Sequence, residues 1–373
     1  MGSLRSQAKA ASFFVLVYLL KLNVYAIEEI SVMSFNVENF FDTEDDPLTR
    51  DEAFTPGGTY EWTAKKLKEK SRNLADVVTP IQNSDGTRCP HILGLVEVEN
   101  KEVLQYWKQY FMQVCDYNAP IIEDPQSGDE VGDFRGIKVA LLSRFKLMSQ
   151  PILHVVYRGG RHILEATFEV EGHPITIFVN HWKSRIGDDG EELRMKAASV
   201  LMSRLEAFNA QDPYADYIIM GDMNDEPENK SIATTLKVTP NLQYLMENPN
   251  EIFLWDASFE KFHLPSILEE QRSQVSEEEL QEIERYYRKV RGTYYYKKKK
   301  TFYALDHMIL PRGMFDTRGF SYVKDSYRIL RHKDYTDENG APIPYKPFRG
   351  GAKGGASDHF PIFMRLSLSE TGY

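Results

Sequence analysis

An apolar run of strand length, Tyr217 to Met220, ends in Gly221 and is followed by Asp222 and Asn224. Continued as a strand, Asp222 and Asn224 would lie on one face, because alternate strand residues point the same way. A carboxylate and an amide aimed together from the end of a buried element suit a water, a phosphate oxygen or a hard metal ion. A polar turn after a core strand is the plainer alternative. The pattern recurs, however. Asn36, Glu97, His181, Asp306, Asp358 and His359 also sit at or near the ends of strand-like segments. One such residue is usually a turn cap or a satisfied core histidine. Several together imply one pole of a folded sheet structure lined with carboxylates, amides and two imidazoles.

That residue mix defines a chemistry. Oxygen donors from Glu97 and Asp358, with the Asn36 amide, suit a hard divalent ion such as Mg²⁺, with Mn²⁺ or Ca²⁺ as alternatives. No close cysteine or histidine cluster favours zinc. A histidine beside a carboxylate is a base able to deprotonate water near neutral pH. A cation to neutralise phosphate, a base and amide or imidazole donors together serve phosphodiester hydrolysis.

The elements that must position these groups can be read along the chain. Ile30 to Val37, His91 to Val98, Ile137 to Leu142, Leu164 to Val170 and Ile175 to Val179 read as strands, with a hairpin at Glu171-Gly172. Trp62 to Val78 and Glu192 to Phe208 carry apolar residues at helical spacing. Residues 257–301 read as an insertion: Ser276 opens a capping box with Glu279, and the helix runs into a basic and aromatic stretch with four consecutive lysines from Lys297. Tyr303 to Leu310 and a segment ending near Leu366 complete the strands. Helices alternating with both hairpin-joined and separate strands favour mixed sheets over a purely parallel one.

The first 26 residues resemble a secretory signal, with Arg5 and Lys9 before an apolar stretch and Ala26 at a cleavage point; a retained N-terminal anchor is the alternative. Removing this segment's three basic residues (Arg5, Lys9, Lys21) from the 45 in the chain leaves 42 against 55 acidic, a net of −13 for residues 27–373. Any nucleic-acid contact must then rely on local basic patches. The length and a 42% hydrophobic content suffice for one large core. Cys89 and Cys115 are the only cysteines; a disulfide and two buried thiols both remain open.

With these residues in view, the chain resembles a secreted bacterial member of the endonuclease/exonuclease/phosphatase superfamily, which includes the pancreatic-type deoxyribonucleases. The resemblance spans Ile30 to Leu366. It rests on six short runs in the family's order: 33–39, Gly94 to Glu97, Val179 to Trp182, Gly221 to Asn224, Leu305 to His307 and Gly355 to His359. It implies an α/β (α+β) fold, a four-layer α/β/β/α sandwich of two mixed β-sheets, deoxyribonuclease I-like, as a single domain over residues 27–373.

Carried over by position, Asn36 and Glu97 would bind the metal with Asp358 beside them. His359 would be the general base, oriented by Asp306. Asp222 and Asn224 would position water and phosphate, and His181 would donate to the phosphate. Arg135, Asn180 and Lys183 are candidates for substrate contact. Asn39 and Glu99 would support the ligands. The tyrosine and lysine run Tyr294 to Lys300 suits either a single-strand groove or a solvated charge run. The implied activity is a metal-dependent endonuclease acting on DNA or RNA, secreted or periplasmic, monomeric and without a stable protein partner. A phospholipid or inositol-phosphate phosphodiesterase is the alternative. A catalytically dead binding protein would have lost Glu97, Asp222, Asp306 or His359, and all four are present.

Overall fold

The structure, a computed structural model, describes residues 27–122, 132–185, 190–345 and 354–369. The signal-like segment 1–26 lies outside the described residues.

In chain order the strands are β1 (Glu29–Phe40), β2 (Ile92–Val98), β3 (Ile121–Ile122), β4 (Lys138–Ser143), β5 (Lys146–Leu147), β6 (Ile152–His154), β7 (Ile163–Val170) and β8 (His173–His181). There follow β9 (Tyr217–Asp222), β10 (Trp255–Asp256), β11 (Tyr294–Tyr296), β12 (Thr301–Tyr303), β13 (Asp306–Leu310), β14 (Phe320–Tyr322), β15 (Arg328–Ile329) and β16 (Ile362–Leu368). The helices are α1 (Ala64–Val78), α2 (Lys101–Phe111), α3 (Gly190–Gln211), α4 (Leu242–Glu247), α5 (Phe259–Phe262), α6 (Leu264–Arg272) and α7 (Glu277–Arg291).

Strand β1 shows how the layers arise. Ile30 and Val32 face one way and join a core shared with Leu164, Ile177, Val179, Ile218 and Met220 of the other sheet. Met33, Phe35 and Val37 face the other way, onto Leu67 and Leu74 of α1 and Leu104 and Trp107 of α2. On the far side of the molecule Phe178 and Ile219 pack on Ala198 and Leu201 of α3. Both sheets are thus covered on both faces, which is why their central strands read as near-continuous apolar runs. The four-layer sandwich is the observed architecture.

One sheet has the order β14-β16-β1-β2-β4-β3 with β15 beside β16; the other has β10-β13-β9-β8-β7-β5 with β6 beside β7. Each holds one parallel pair at its centre, β1/β2 and β8/β9, with antiparallel neighbours on both sides. Parallel neighbours need a crossover. Helix α1 supplies it in the first sheet and α3 in the second. The expected hairpin joins β7 to β8 through Glu171 (φ 51°) and Gly172 (φ 85°), both left-handed as a two-residue turn of that kind demands.

Two expectations need correction. The run Tyr303 to Leu310 is two strands: Thr293 Oγ1 accepts the amides of both Leu305 and Asp306, at 3.2 and 3.3 Å, and breaks the ladder there. Strand β12 then pairs with β11 as a separate hairpin, and β13 pairs with β9. The organising strand ends at Asp222 instead of continuing to Asn224.

Cys89 and Cys115 form a disulfide with Cα atoms 5.3 Å apart, closing a loop of sequence separation 26. In the chain-entropy picture such a loop contributes about 3 kcal/mol. Replacing both cysteines by alanine is expected to lower the unfolding free energy by about that amount, read from urea unfolding with midpoint and slope both fitted, since the freed chain unfolds to a larger state. An unchanged unfolding free energy would show that the bond adds no stability.

Candidate active site

Parallel strands end at the same pole, so the central pair of each sheet delivers its last residues together. Strands β1 and β2 bring Asn36 and Glu97; β8 and β9 bring His181 and Asp222, which are direct register partners. Antiparallel neighbours begin where these end. Asp306, the first residue of β13, lies opposite Asp222. Asp358 and His359 come just before β16, which runs antiparallel to β1. The pole opens as a cleft of about 450 Å³ whose lining includes Glu97, His181, Asp222, Asn224, Asp358 and His359.

Local backbone geometry sharpens the convergence. Glu38, Asn39, Glu97 and Asn224 have φ between 50° and 65°, a left-handed conformation that side-chain-bearing residues seldom adopt. At Glu97 the register with both β1 and β4 slips, as in a bulge that re-aims one side chain. The Glu97 carboxylate turns into the cleft, and Asn39 N–H donates to its Oε2 at 2.9 Å. Asp222 and Asn224 are brought together by a turn, not by strand alternation: Asn224 N–H donates to Asp222 Oδ1 at 2.9 Å.

Buried Asp222 stands at the centre. Asn36 Nδ2 donates to its Oδ2 at 3.1 Å. The Nε2 atoms of His181 and His359 face that same oxygen at 3.7 and 3.8 Å. Burial pushes the Asp222 carboxyl up to about 7, with His359 opposing the rise and Asp306 and Glu97 adding to it. His359 Nδ1 lies 2.7 Å from Asp306 Oδ2. That contact places the ring proton on Nδ1 and leaves Nε2 as the basic atom of a neutral ring. Burial opposes a charge on His359, but Asp306 and Asp222 together hold it well above the ordinary histidine range. His181 goes the other way, driven well below that range by burial and by Arg161 and Arg135. The two imidazoles are therefore pushed in opposite directions across one carboxylate.

A second acidic group lies beside the first. Burial raises Asp358, opposed by His359 and reinforced by Glu97. Glu38 is raised well above the carboxylate range by burial, then by Asp358. Among the described residues none of Glu38, Glu97 and Asp358 forms an ion pair with a lysine or arginine; the nearest imidazole, His181, is 3.7 Å from Glu97 Oε1. Buried Lys70 donates to the backbone oxygen of Glu38 at 2.5 Å, and its charge is itself disfavoured by burial. Lys70 eases the charge on Glu38 and Asp358 without overcoming their burial, and three crowded carboxylates beside one buried lysine fit a hard divalent ion. Asp222, Asp306 and His359 present ligand atoms all within 4.8 Å of one another; there the short Asp306–His359 bond makes a hydrogen-bonded relay.

The remaining candidates divide. Arg135 lines the cleft and donates to Asn39 Oδ1 at 2.7 Å. Asn180 does not reach the cleft, because its amide is fully buried and occupied: Trp182 Nε1 donates to its Oδ1 at 3.0 Å and its Nδ2 turns to Phe178 O at 3.2 Å. Lys183 is likewise not in the lining; past His181 the chain presents Ser184 and Arg185 instead. Glu99 is buried behind the site, accepting the Asp42 amide at 2.6 Å, and burial pushes it up to about 9. Sequence reasoning missed Lys70 and Arg161. Lys70 was legible as a lysine between Leu67 and Leu74 on the apolar face of α1. Arg161, held by Asp133 Oδ2 at 2.7 Å, follows no motif.

A family model described as "Endonuclease/Exonuclease/phosphatase family" matches residues 31–253 and 256–368. No curated protein matches the chain. Among solved structures, a humanized D. rerio TDP2 with 14 mutations superimposes with a TM-score of 0.52 at 13% identity, covering 91% of this chain and 100% of that one. D. rerio TDP2 complexed with single strand DNA product gives 0.51 at 14%, covering 91% and 99%. An endonuclease/exonuclease/phosphatase family protein from Bacteroides thetaiotaomicron gives 0.51 at 15%, covering 92% and 99%. These identities speak to fold, which is deoxyribonuclease I-like.

The unneutralised acids generate a test. A carboxyl whose pKa is raised on folding loses stability as pH climbs past its unfolded value, so Asp358→Asn should relieve a cost at pH 7 that is absent below about pH 4. In EDTA at pH 7 the variant is expected to melt a few degrees above the parent, and to lose any rise that Mg²⁺ gives the parent. A lower midpoint in EDTA would show that Asp358 is not under repulsion.

Proposed function

The chain belongs to the endonuclease/exonuclease/phosphatase family, and from that membership we propose that it is an exported, metal-dependent endonuclease. Membership and the acidic and histidine cluster support a metal-dependent phosphodiesterase. The observation that carries the reading is the pairing of His359 with Asp306 at 2.7 Å in a cleft that also holds Glu97, Asp358 and Asp222.

In this reading Glu97 and Asp358, helped by Asn36, hold a divalent ion, with Mg²⁺ first. When bound, that ion supplies positive charge against the phosphate and its developing negative charge. His359 Nε2 takes the proton of the attacking water while Asp306 fixes the ring through Nδ1. Asp222 and Asn224 hold the water and the phosphate in line. His181, kept neutral, offers an N–H to a phosphate oxygen as charge builds on it. Arg135 and Arg161 supply further positive charge at the rim.

Nucleic acid is the proposed substrate class, and the structural likeness to a TDP2 crystallised with a single strand DNA product is in keeping with it. Export is proposed from the signal-like residues 1–26 together with the Cys89–Cys115 disulfide, a bond that persists in oxidising compartments.

Incubation of the protein with supercoiled plasmid, RNA and phospholipid vesicles, each with Mg²⁺ or EDTA, tests the proposal. Metal-dependent nicking that disappears in His359→Ala supports it. Headgroup release with intact nucleic acid would move the protein to lipid substrates.

Asp306→Asn tests the relay. Asp306 raises the pKa of His359, and only the neutral ring is a base. Loss of the carboxylate is therefore expected to move the acid limb of the kcat/KM profile to lower pH, with kcat reduced about 10²- to 10⁴-fold. An unshifted limb would separate Asp306 from the base.

A further inference from the structure

The hairpin β11–β12 stands apart from both main sheets and forms one wall of the cleft. Its register pairs Tyr294 with Tyr303, Tyr295 with Phe302 and Tyr296 with Thr301. Strand alternation then sorts the rings. Tyr295 and Phe302 pack with ring centres 4.8 Å apart, tilted at 51°, on one face, where buried Phe302 joins Ala341 and Phe360 in a small core of their own. Tyr294, Tyr296 and Tyr303 are left on the other face, and all three line the cleft.

This second face runs outward from the chemistry. The Tyr294 ring lies 4.9 Å from the His359 ring, and the two residues form a backbone bridge that fixes the hairpin against the base. Tyr303 follows, with the Arg185 guanidinium 5.0 Å from its ring centre. Arg185 is itself pinned by Asn224 O at 2.8 Å and Asn229 Oδ1 at 2.7 Å, so this cation keeps a set position. Tyr296 sits 6.3 Å from Tyr303, and Lys299 completes the lining at the tip, inside the run Lys297 to Lys300.

An acidic chain draws nucleic acid in weakly by long-range charge, and aromatic faces offer affinity that does not depend on it. Stacking on tyrosine needs a base with a free face, which paired duplex bases lack. Resting on the phosphodiesterase reading above, we propose that this hairpin is a base-stacking wall that makes unpaired nucleic acid the preferred substrate. Bases beside the scissile phosphate lie against Tyr296 and Tyr303, and Lys299 and its neighbours take the flanking phosphates.

The test compares three substrates with Mg²⁺: an end-labelled single strand, the same strand annealed to its complement, and methyl p-nitrophenyl phosphate. The parent should cleave the single strand at least about tenfold more efficiently than the duplex. In Tyr296→Ala/Tyr303→Ala the KM for the single strand should rise on the order of 50-fold, with a much smaller change in kcat, and the single-strand preference should collapse. Tyr296→Phe/Tyr303→Phe keeps the stacking faces and should stay within about twofold of the parent. Tyr286→Ala, on the exposed side of α7, is the unaltered control.

Equal cleavage of duplex and single strand by the parent would overturn the proposal. So would a double alanine variant that loses the single strand and the small diester by the same factor. Hydrolysis of the small diester with both oligonucleotides intact would reject the stacking wall and leave the phosphodiesterase standing. Failure to hydrolyse any diester would reject the reading beneath it.

Discussion

Glu38, Glu97, Asp222 and Asp358 gather at one pole where, among the described residues, no lysine or arginine forms an ion pair with them and only buried Lys70 eases the charge; the architecture is built around holding that like charge in place. Carboxylates removed from water and set beside one another resist ionisation, which is why burial and neighbouring acids together raise Glu38, Asp222 and Asp358. The protein offsets part of the cost with hydrogen bonds. Backbone and amide N–H groups bind individual oxygens, as Asn39 does for Glu97 and Asn36 and Asn224 do for Asp222. The balance left over is negative charge facing a cleft, the condition in which a hard cation binds most strongly.

The sandwich creates that pole through a simple property of direction. A parallel pair at the centre of each sheet ends on one side, and the flanking antiparallel strands start there. Six elements can therefore deliver chemistry to a single place without a long loop. Packing does the rest, because the inner faces of the two sheets share one core and allow neither pair to slide relative to the other. Left-handed backbone at Glu38, Asn39, Glu97 and Asn224 costs on the order of 1 kcal/mol or more at each position. Such a concentration at one pole is sustained only because rigid strands over-determine it.

The site is also asymmetric in charge. His359 sits between two carboxylates that raise it despite its burial; His181 is lowered by burial first and then by nearby arginines. Asp222 faces both rings through one oxygen, so a change of charge on any of the three is felt by the other two. Buried Asp256 and His307 add a supporting pair at 2.5 Å directly behind, and His307 Nε2 lies 2.8 Å from Asp225 O, fixing the turn that carries Asn224.

Much of this was legible along the chain. Apolar runs ending in acids, amides or imidazoles identified the strands, the mixed sheets and the residues at the pole, because burial on both faces writes itself into composition and strand ends are where polarity returns. The sequence by itself determined the strands, their mixed pairing and the set of groups at the pole, and the two-sheet sandwich was what the family resemblance of its short runs implied. Only the tertiary structure decided how they act. Asp222 and Asn224 meet through a turn, because Asn224 is left-handed, and period-two reasoning cannot express that. Asn180 spends its amide on Trp182 and the backbone, and Arg185 replaces Lys183 at the cleft, because side-chain direction after a strand depends on what packs beside it. Tyr294, Tyr296 and Tyr303 face the chemistry because Thr293 breaks the ladder at Leu305 and frees a hairpin. Each of these depends on a contact between residues far apart in the chain or on a single backbone angle, and neither has a signature in local sequence.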